Sequence, residues 1–140
     1  MSNELATVRD ENPNAVFNTL ATKDDLQSKI KAANALNAAE SLSEFEGVVI
    51  KMTDCILAPG VRKSRNVNIP DASCTNTYII DVDGKSYFSQ SNGVARSIKS
   101  FAAIFNGEFD LGNGYLPVVM VSQQLANGNT LKTMQIANEG

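Results

Sequence analysis

Paired carboxylates are one source of general acid–base catalysis, and four such pairs in this 140-residue chain are candidates for it. The pairs are Asp24 with Asp25, Glu44 with Glu46, Asp81 with Asp83, and Glu108 with Asp110. Each has a structural explanation, since the first opens a predicted helix whose dipole favours acids, the third brackets a turn and the fourth lies in a loop. The sequence contains no histidine, which removes the most common general base and every Ser-His or Cys-His nucleophile. We therefore expect a protein that is not an enzyme.

The DVDG step at residues 81–84 invites comparison with a calcium loop, which needs acidic ligands at fixed positions. In EF-hand register, position 1 is Ile79 and position 12 is Gln90, so the two strongest ligands are missing. No glycine-rich phosphate loop occurs either. Cys55 and Cys74 have no metal-ligand spacing, and we expect both to be reduced thiols. The sequence therefore predicts no metal and no cofactor.

Cations and aromatic side chains are concentrated in the middle of the chain, and this combination binds single-stranded nucleic acid. Residues 47–107 carry seven basic and four acidic side chains, whereas residues 1–46 carry four basic and eight acidic ones. A basic block thus lies between acidic ends, despite a net charge of −3. The candidate DNA-binding residues, by cation or by aromatic ring, are Lys51, Arg62, Lys63, Arg65, Tyr78, Lys85, Tyr87 and Phe88.

An Asp-Gly between the alternating runs 77–82 and 85–90 predicts a two-residue β-hairpin in which Ile80 opposes Tyr87. In that register one face carries Tyr78, Ile80, Val82, Lys85 and Tyr87, and the other carries Thr77, Ile79, Asp81, Ser86, Phe88 and Gln90. The aliphatic residues favour the first face as core, whereas two tyrosines beside a lysine favour it as the ligand side. The sequence leaves both open, and Phe88 is the alternative stacking residue if the faces are reversed.

The other elements follow from local signals. Thr22 with Asp25 predicts the start of a helix over about 23–40. Its thin apolar stripe consists of Leu26, Ile30, Ala33 and Leu36. A β-branched strand is predicted at 46–57, and a long loop or irregular hairpin at 58–76 carries three of the candidate cations.

A second helix is predicted after Ser91 and Asn92, ending at Asn106-Gly107. Its apolar face consists of Val94, Ile98, Phe101 and Phe105, while Arg96, Lys99 and Ser100 point away from the core. Two further strands are predicted at 116–123 and 130–137. The element order predicts a mainly β, OB-like five-stranded Greek-key barrel with a helix between strands 3 and 4, plus an N-terminal helix. We divide the chain into a polar arm at 1–21, the N-terminal helix at 22–44 and the OB-like domain at 45–140.

The phrase DGKSYFSQSNGVARSIKSFAAIF, after TYIIDV and before LPVVMV, resembles the small single-stranded-DNA-binding proteins of tailed bacteriophages with protein-primed replication. The resemblance covers about residues 45–137. It implies an OB-like protein that coats and protects exposed strands during phage DNA replication, without catalysis. Unlike the better-known bacterial proteins of this kind, the chain has no tryptophan and ends in ANEG instead of an acidic tail. That departure puts tail-mediated recruitment of other proteins in doubt.

We predict non-sequence-specific binding of single-stranded DNA, with self-association through the N-terminal helix as a further expectation. The alternative hypothesis is a non-catalytic protein-interaction or structural OB-like module of a phage, in which the acidic N-terminal helical region binds a partner. The polar N-terminus lacks the pattern of a signal peptide, and no run is long and apolar enough to span a membrane. We therefore expect no membrane partner and a location in the cytoplasm of the host cell.

Overall fold

The computed structural model describes residues 17–19, 25–62, 68 and 70–137. These residues form a mainly β structure with two α-helices and one short 3₁₀ helix at Leu42–Phe45. The strands are β1 (Phe17–Asn18), β2 (Glu40–Ser41), β3 (Val49–Arg62), β4 (Ala72–Asp81), β5 (Ser86–Ser89), β6 (Leu116–Gln124) and β7 (Thr130–Ile136), and the helices are α1 (Leu26–Ala38) and α2 (Asn92–Ile104). The mainly β class is confirmed, whereas the described part of the chain has seven strands where five were predicted. No helix in these described ranges is long and apolar enough to cross a membrane.

All the strands belong to one mixed sheet, in the order β2-β5-β4-β3-β6-β7, with β1 paired to β3 off this path. The long strand β3 is central to this arrangement. Along one edge it pairs with β4, with a register irregularity between Met52 and Asp54. Along its other edge it pairs first with β6 and then, beyond that, with β1. A bulge of this kind bends a strand and increases its twist, so β3 can follow the curl of the sheet.

The curled sheet encloses one main hydrophobic core, which α2 completes. Val94 and Ile98 of α2 are fully buried beside residues from β3 to β7, and Phe101 and Phe105 pack against the same cluster while remaining partly exposed. The Ser91 hydroxyl accepts a hydrogen bond from the Val94 N–H at 3.4 Å, as a helix cap should. Asn106 and Gly107 end the helix with positive φ values of 55° and 75°. The predicted apolar face and both ends of α2 are thus confirmed.

The predicted register of the β4–β5 hairpin is wrong by one residue. Ile79 opposes Tyr87, and Tyr78 opposes Phe88. The cause lies in the turn, where the Asp81 carboxylate accepts hydrogen bonds from the N–H groups of Asp83 and Lys85, each at 2.9 Å. The backbone of Asp81 also pairs with Lys85, which leaves a three-residue loop with a glycine at φ 82° in the left-handed region. One extra loop residue moves every side chain of β5 to the other face.

Of the two alternatives for residues 58–76, a long loop or an irregular hairpin, the structure shows the hairpin, which is a two-stranded ribbon. β3 continues through Pro59 and Gly60 to Arg62, and β4 begins at Ala72, so the connection is reduced to residues 63–71. Pro59 is tolerated because, among the described residues, β3 has only β4 as a neighbour in this part. Gly60 leaves room for the Asn76 side chain, since a Cβ atom there would lie 2.2 Å from its amide oxygen.

Helix α1 lies on the outer face of the sheet, but not through its predicted stripe. Leu26, Ile30 and Leu36 are exposed, and the helix instead places Ala35 against a small cluster that contains Ile56 of β3. Small side chains let the helix approach the strands closely. Its N-cap is Asp25, which accepts a hydrogen bond from the Ser28 N–H at 2.8 Å. The predicted cap Thr22 lies outside the described residues.

Asp54 connects the N-terminal elements to β3. Its side chain is 1% exposed and accepts a hydrogen bond from the Thr19 hydroxyl at 2.9 Å, while the Lys31 ammonium of α1 lies 3.5 Å away. A buried carboxylate requires such partners. The sheet therefore holds both residues 17–19 and α1 in place. The division of the chain at residues 21 and 44 stays a prediction.

Candidate nucleic-acid interface

A strip of side chains follows the outer face of β4 and β5, and we call it the outer strip. It begins at Tyr78 and Phe88, whose ring centroids lie 5.1 Å apart at an interplanar angle of 41°. It continues toward the ribbon through Gln90, whose amide donates a hydrogen bond to the Asn76 side-chain oxygen at 3.1 Å. Next to Asn76, the Cys74 thiol approaches the same oxygen at 4.0 Å. These contacts place all five residues on one surface.

The two rings of the outer strip are only partly buried. Tyr78 borders the small cluster under α1, which supports one side of its ring, and Phe88 lines a cleft beside the paired strands β2 and β5. A ring held between protein on one side and solvent on the other offers a flat apolar surface, and it loses little conformational freedom on binding. The pair thus presents a partly exposed aromatic surface.

Tyr87 lies on the opposite face, inside the core, and is 6% exposed. Its hydroxyl donates a hydrogen bond to the Asp81 carboxylate at 3.2 Å, and its ring meets Phe45 edge-on with centroids 5.0 Å apart. Burial, followed by the nearby Asp81 charge, raises the pKa of Tyr87 to about 12. The two predicted tyrosines therefore do not form one surface, and Tyr87 is a core residue.

The predicted cations are dispersed over the molecule. Lys85 belongs with the core tyrosine, because its ammonium lies 3.6 Å from Glu40 and over the rings of Phe45 and Tyr87. Lys51 is exposed on the outer face of β3, 5.3 Å from the centroid of the Tyr115 ring. Arg62 ends β3 at the far end of the ribbon, where its backbone pairs with Ala72. Lys63 and Arg65 lie outside the described residues.

Sequence reasoning missed the polar part of the outer strip. Cys74, Asn76 and Tyr78 are spaced two residues apart, which is the spacing of one strand face. That signal was present in the sequence, but the prediction of a long loop or irregular hairpin over 58–76 did not assign these residues to a strand. Tyr115 was missed because it precedes a strand in a glycine-rich turn and has no aromatic neighbour in the sequence.

A curled β-sheet that presents a tyrosine–phenylalanine pair on its outer face has the architecture of proteins that bind single-stranded nucleic acid through base stacking. The comparison with protein families agrees. The family model for the phage single-stranded DNA-binding protein of the Phi29 type matches residues 10–137. The chain belongs to this family, and it functions in single-stranded DNA binding during phage replication.

The family match extends further toward the N-terminus than the resemblance at residues 45–137, because it includes the part of the chain that contains β1 and α1. No curated protein and no solved structure matches this chain.

Proposed function

We propose that the outer strip is the surface on which this protein binds single-stranded DNA. Bases would stack on Tyr78 and Phe88, and the amides of Asn76 and Gln90 would bind exposed base edges or the sugar–phosphate backbone. The ribbon leads from these rings to Arg62, and Arg62 with Lys63 and Arg65, which come next in the sequence, are the proposed cations for the phosphates. Stacking and charge are both tolerant of sequence, which suits a protein that coats any exposed strand.

The observation that carries this proposal is the Tyr78–Phe88 pair, two half-buried rings with centroids 5.1 Å apart on the outer face of the sheet. Two partly exposed rings in contact on a sheet surface form a contiguous apolar patch, which is the kind of surface feature that marks interaction sites. The supports of this pair, α1 on one side and the ribbon on the other, hold it in place without covering it.

We further propose that the sheet is an OB-like barrel with one open seam. Three observations support this. The meander β3-β4-β5 is followed by α2 and the pair β6-β7, and β3 bends to pair with both β4 and β6. The remaining barrel contact would join β5 to β7, and the start of α2 lies there instead. The Ser91 hydroxyl donates to the Lys132 carbonyl at 3.3 Å, and the Ser97 hydroxyl accepts from the Met134 N–H at 3.1 Å.

Cys74 provides a direct test of the proposed surface. Cys55 is fully buried, and burial raises the pKa of its thiol, so a thiol reagent should reach Cys74 first. We expect saturating oligo-dT at low salt to slow the alkylation of Cys74 by N-ethylmaleimide. At an oligonucleotide concentration ten times Kd, the decrease should be about tenfold by mass action. The measurement is the rate of labelling by mass spectrometry with and without oligo-dT.

The matched control is a Cys74→Ser/Ser100→Cys variant, which moves the accessible thiol to the exposed side of α2. Its labelling rate should not change with oligo-dT, and duplex DNA should protect Cys74 less than oligo-dT does. Binding of oligo-dT without protection of Cys74 would place the DNA on another surface. The absence of any binding at micromolar protein and low salt would contradict the function itself.

Self-association through α1 is a second proposal, with another copy of the same chain as the partner. Leu26, Ile30 and Leu36 are 69%, 44% and 47% exposed. They lie on the side of α1 that faces away from the sheet, so two copies could meet there while the outer strip of each stays open. Such contacts between neighbours would favour the regular coating of a strand.

We expect Ile30→Ser to weaken this self-association by roughly tenfold or more, because a buried isoleucine contributes about 1.5–3 kcal/mol. Sedimentation equilibrium measures the effect. Leu111→Ser, at an exposed leucine outside α1, is the control and should leave the assembly unchanged. A wild-type protein that remains monomeric at about 100 μM would contradict the proposal, independently of its DNA binding.

The remaining expectations follow from family membership. We propose that the protein acts in the host cytoplasm, where phage DNA would be exposed as single strands, and that it acts without catalysis.

A further inference from the structure

A cleft of about 320 Å³ lies at the open seam, between β7 and the paired strands β2 and β5. Its walls come from Ser41 of β2 and nearby Ser43, from residues 88–91 at the end of β5, from Met120 of β6 and from Lys132 of β7. The volume is within the range of small-molecule and cofactor sites. Because Phe88 also belongs to the outer strip, the cleft opens directly beside the proposed stacking surface.

The chemistry of the cleft is that of hydrogen-bond donors. Four serines, Gln90 and Lys132 are among the residues that line it, and no acidic residue is among the described ones that do. The hydroxyl groups of Ser41 and Ser43 lie 2.9 Å apart, so one of the two can donate outward while the other is engaged. Hydroxyls, amides and ammonium groups are the side chains that contact phosphate oxygens in nucleic-acid complexes.

Lys132 differs from Lys31 and Lys85 in that its ammonium group has no acidic partner among the described residues. The Lys31 ammonium lies 3.5 Å from Asp54, and that of Lys85 lies 3.6 Å from Glu40. In the part of the chain that the structure describes, no carboxylate lies within 4.0 Å of the Lys132 ammonium. The residue as a whole is partly buried. A lysine without an acidic partner is suited to bind an anion from outside the chain.

We propose that a DNA strand bound on the outer strip continues into the seam cleft, where Lys132 and the serine hydroxyls bind one backbone phosphate. This inference rests on the proposed binding surface and extends it by one defined subsite. The strand would pass from the ribbon over Tyr78 and Phe88 and then across the seam. The opening in the sheet would therefore be a part of the DNA path.

The test is the salt dependence of binding in a Lys132→Met variant. For single strands, the slope of log K against log salt changes by about 0.7 for each phosphate that a cation neutralises. When the salt concentration is raised fourfold, both proteins should lose affinity for oligo-dT, and the loss in Lys132→Met should be about two- to threefold smaller than the loss in the wild type. The measurement is fluorescence anisotropy of labelled oligo-dT at several NaCl concentrations.

Lys99→Met is the matched control, since Lys99 is exposed on α2, does not line the cleft and carries the same charge. It should keep the wild-type slope. As a second variant, Ser43→Asp places a carboxylate in the cleft without altering Lys132 and should weaken binding, whereas Ser100→Asp on α2 should not.

The outcomes separate the two proposals. A wild-type slope in Lys132→Met, together with unchanged affinity in Ser43→Asp, overturns the phosphate subsite while the outer strip stands. If Lys132→Met does not fold, the Ser43→Asp comparison decides alone. A wild-type protein that does not bind oligo-dT would overturn both proposals together.

Discussion

Replacing Phe88 with alanine is expected to weaken the binding of oligo-dT by about 5- to 150-fold. This range corresponds to roughly 1–3 kcal/mol for the loss of one base–aromatic stack. Phe88 belongs to the ring pair on the outer face and also borders the seam cleft, so a base stacked on it would occupy the centre of the proposed path. A fluorescence titration at fixed low salt measures the affinity.

Two further variants separate stacking from packing. Phe88→Leu keeps apolar volume but lacks a flat ring, so it should also weaken binding, whereas Phe88→Tyr should bind nearly as well as the wild type. Phe105→Ala removes a half-buried phenylalanine from α2 and serves as the control for general loosening of the fold. Affinity that is equal in Phe88→Ala and Phe105→Ala would contradict a stacking role for Phe88.

Replacing Tyr87 with alanine should reduce the stability of the protein instead of its affinity for DNA. The side chain is buried in the core, and removal of a large buried aromatic ring costs about 3–5 kcal/mol of unfolding free energy. This is a large fraction of the 5–15 kcal/mol that is typical of native proteins. Urea unfolding followed by circular dichroism measures the loss.

Tyr87→Phe also tests whether Tyr87 is a core residue, with a smaller loss of stability. It removes only the hydrogen bond to Asp81, worth about 0.5–1.5 kcal/mol, and it should leave DNA affinity unchanged. A decrease in affinity with unchanged stability in either Tyr87 variant would return Tyr87 to the binding surface.

The raised pKa of Tyr87 adds a pH dependence to this prediction. In the folded protein the phenol has a pKa of about 12, against an ordinary value of 10.0. The folded state holds the Tyr87 proton more tightly than the unfolded state does. The protonated phenol therefore contributes fully to the free energy of unfolding below pH 10, and this contribution is lost between about pH 10 and 12. Over that interval the Tm of the wild type should fall more steeply than that of Tyr87→Phe.

Local sequence signals predicted the elements that are determined by interactions between residues close together in the sequence. Helix α2 was predicted with its cap, its apolar face and its end, because a serine cap, residues spaced by one helical turn and an Asn-Gly stop all act within a few residues. The β6–β7 hairpin was predicted for the same reason. The family itself was also evident in the residues around the β4–β5 hairpin.

The binding surface could not be predicted in the same way, because it depends on one residue of register. A two-residue and a three-residue loop both suit an Asp-Gly sequence, and the choice was made by the Asp81 carboxylate, which binds two N–H groups of the turn. The difference exchanges Tyr87 for Phe88 on the outer face. The packing of α1 was missed because the surface beneath it, at Ile56 and Ile80, accepts the small side chain of Ala35.

The pairing of β1 with β3 affects how closely packed copies of the protein would interact. β6 covers the edge of β3 only as far as Met52, and Phe17 and Asn18 pair with Leu57 and Ile56 beyond it. Without β1, the N–H and C=O groups there would form an open template for strands of neighbouring molecules. Copies that coat one strand of DNA stand side by side, where such a template would lead to fibrous aggregates. The two-residue strand β1 thus helps to prevent strand-to-strand aggregation between neighbouring copies on the DNA.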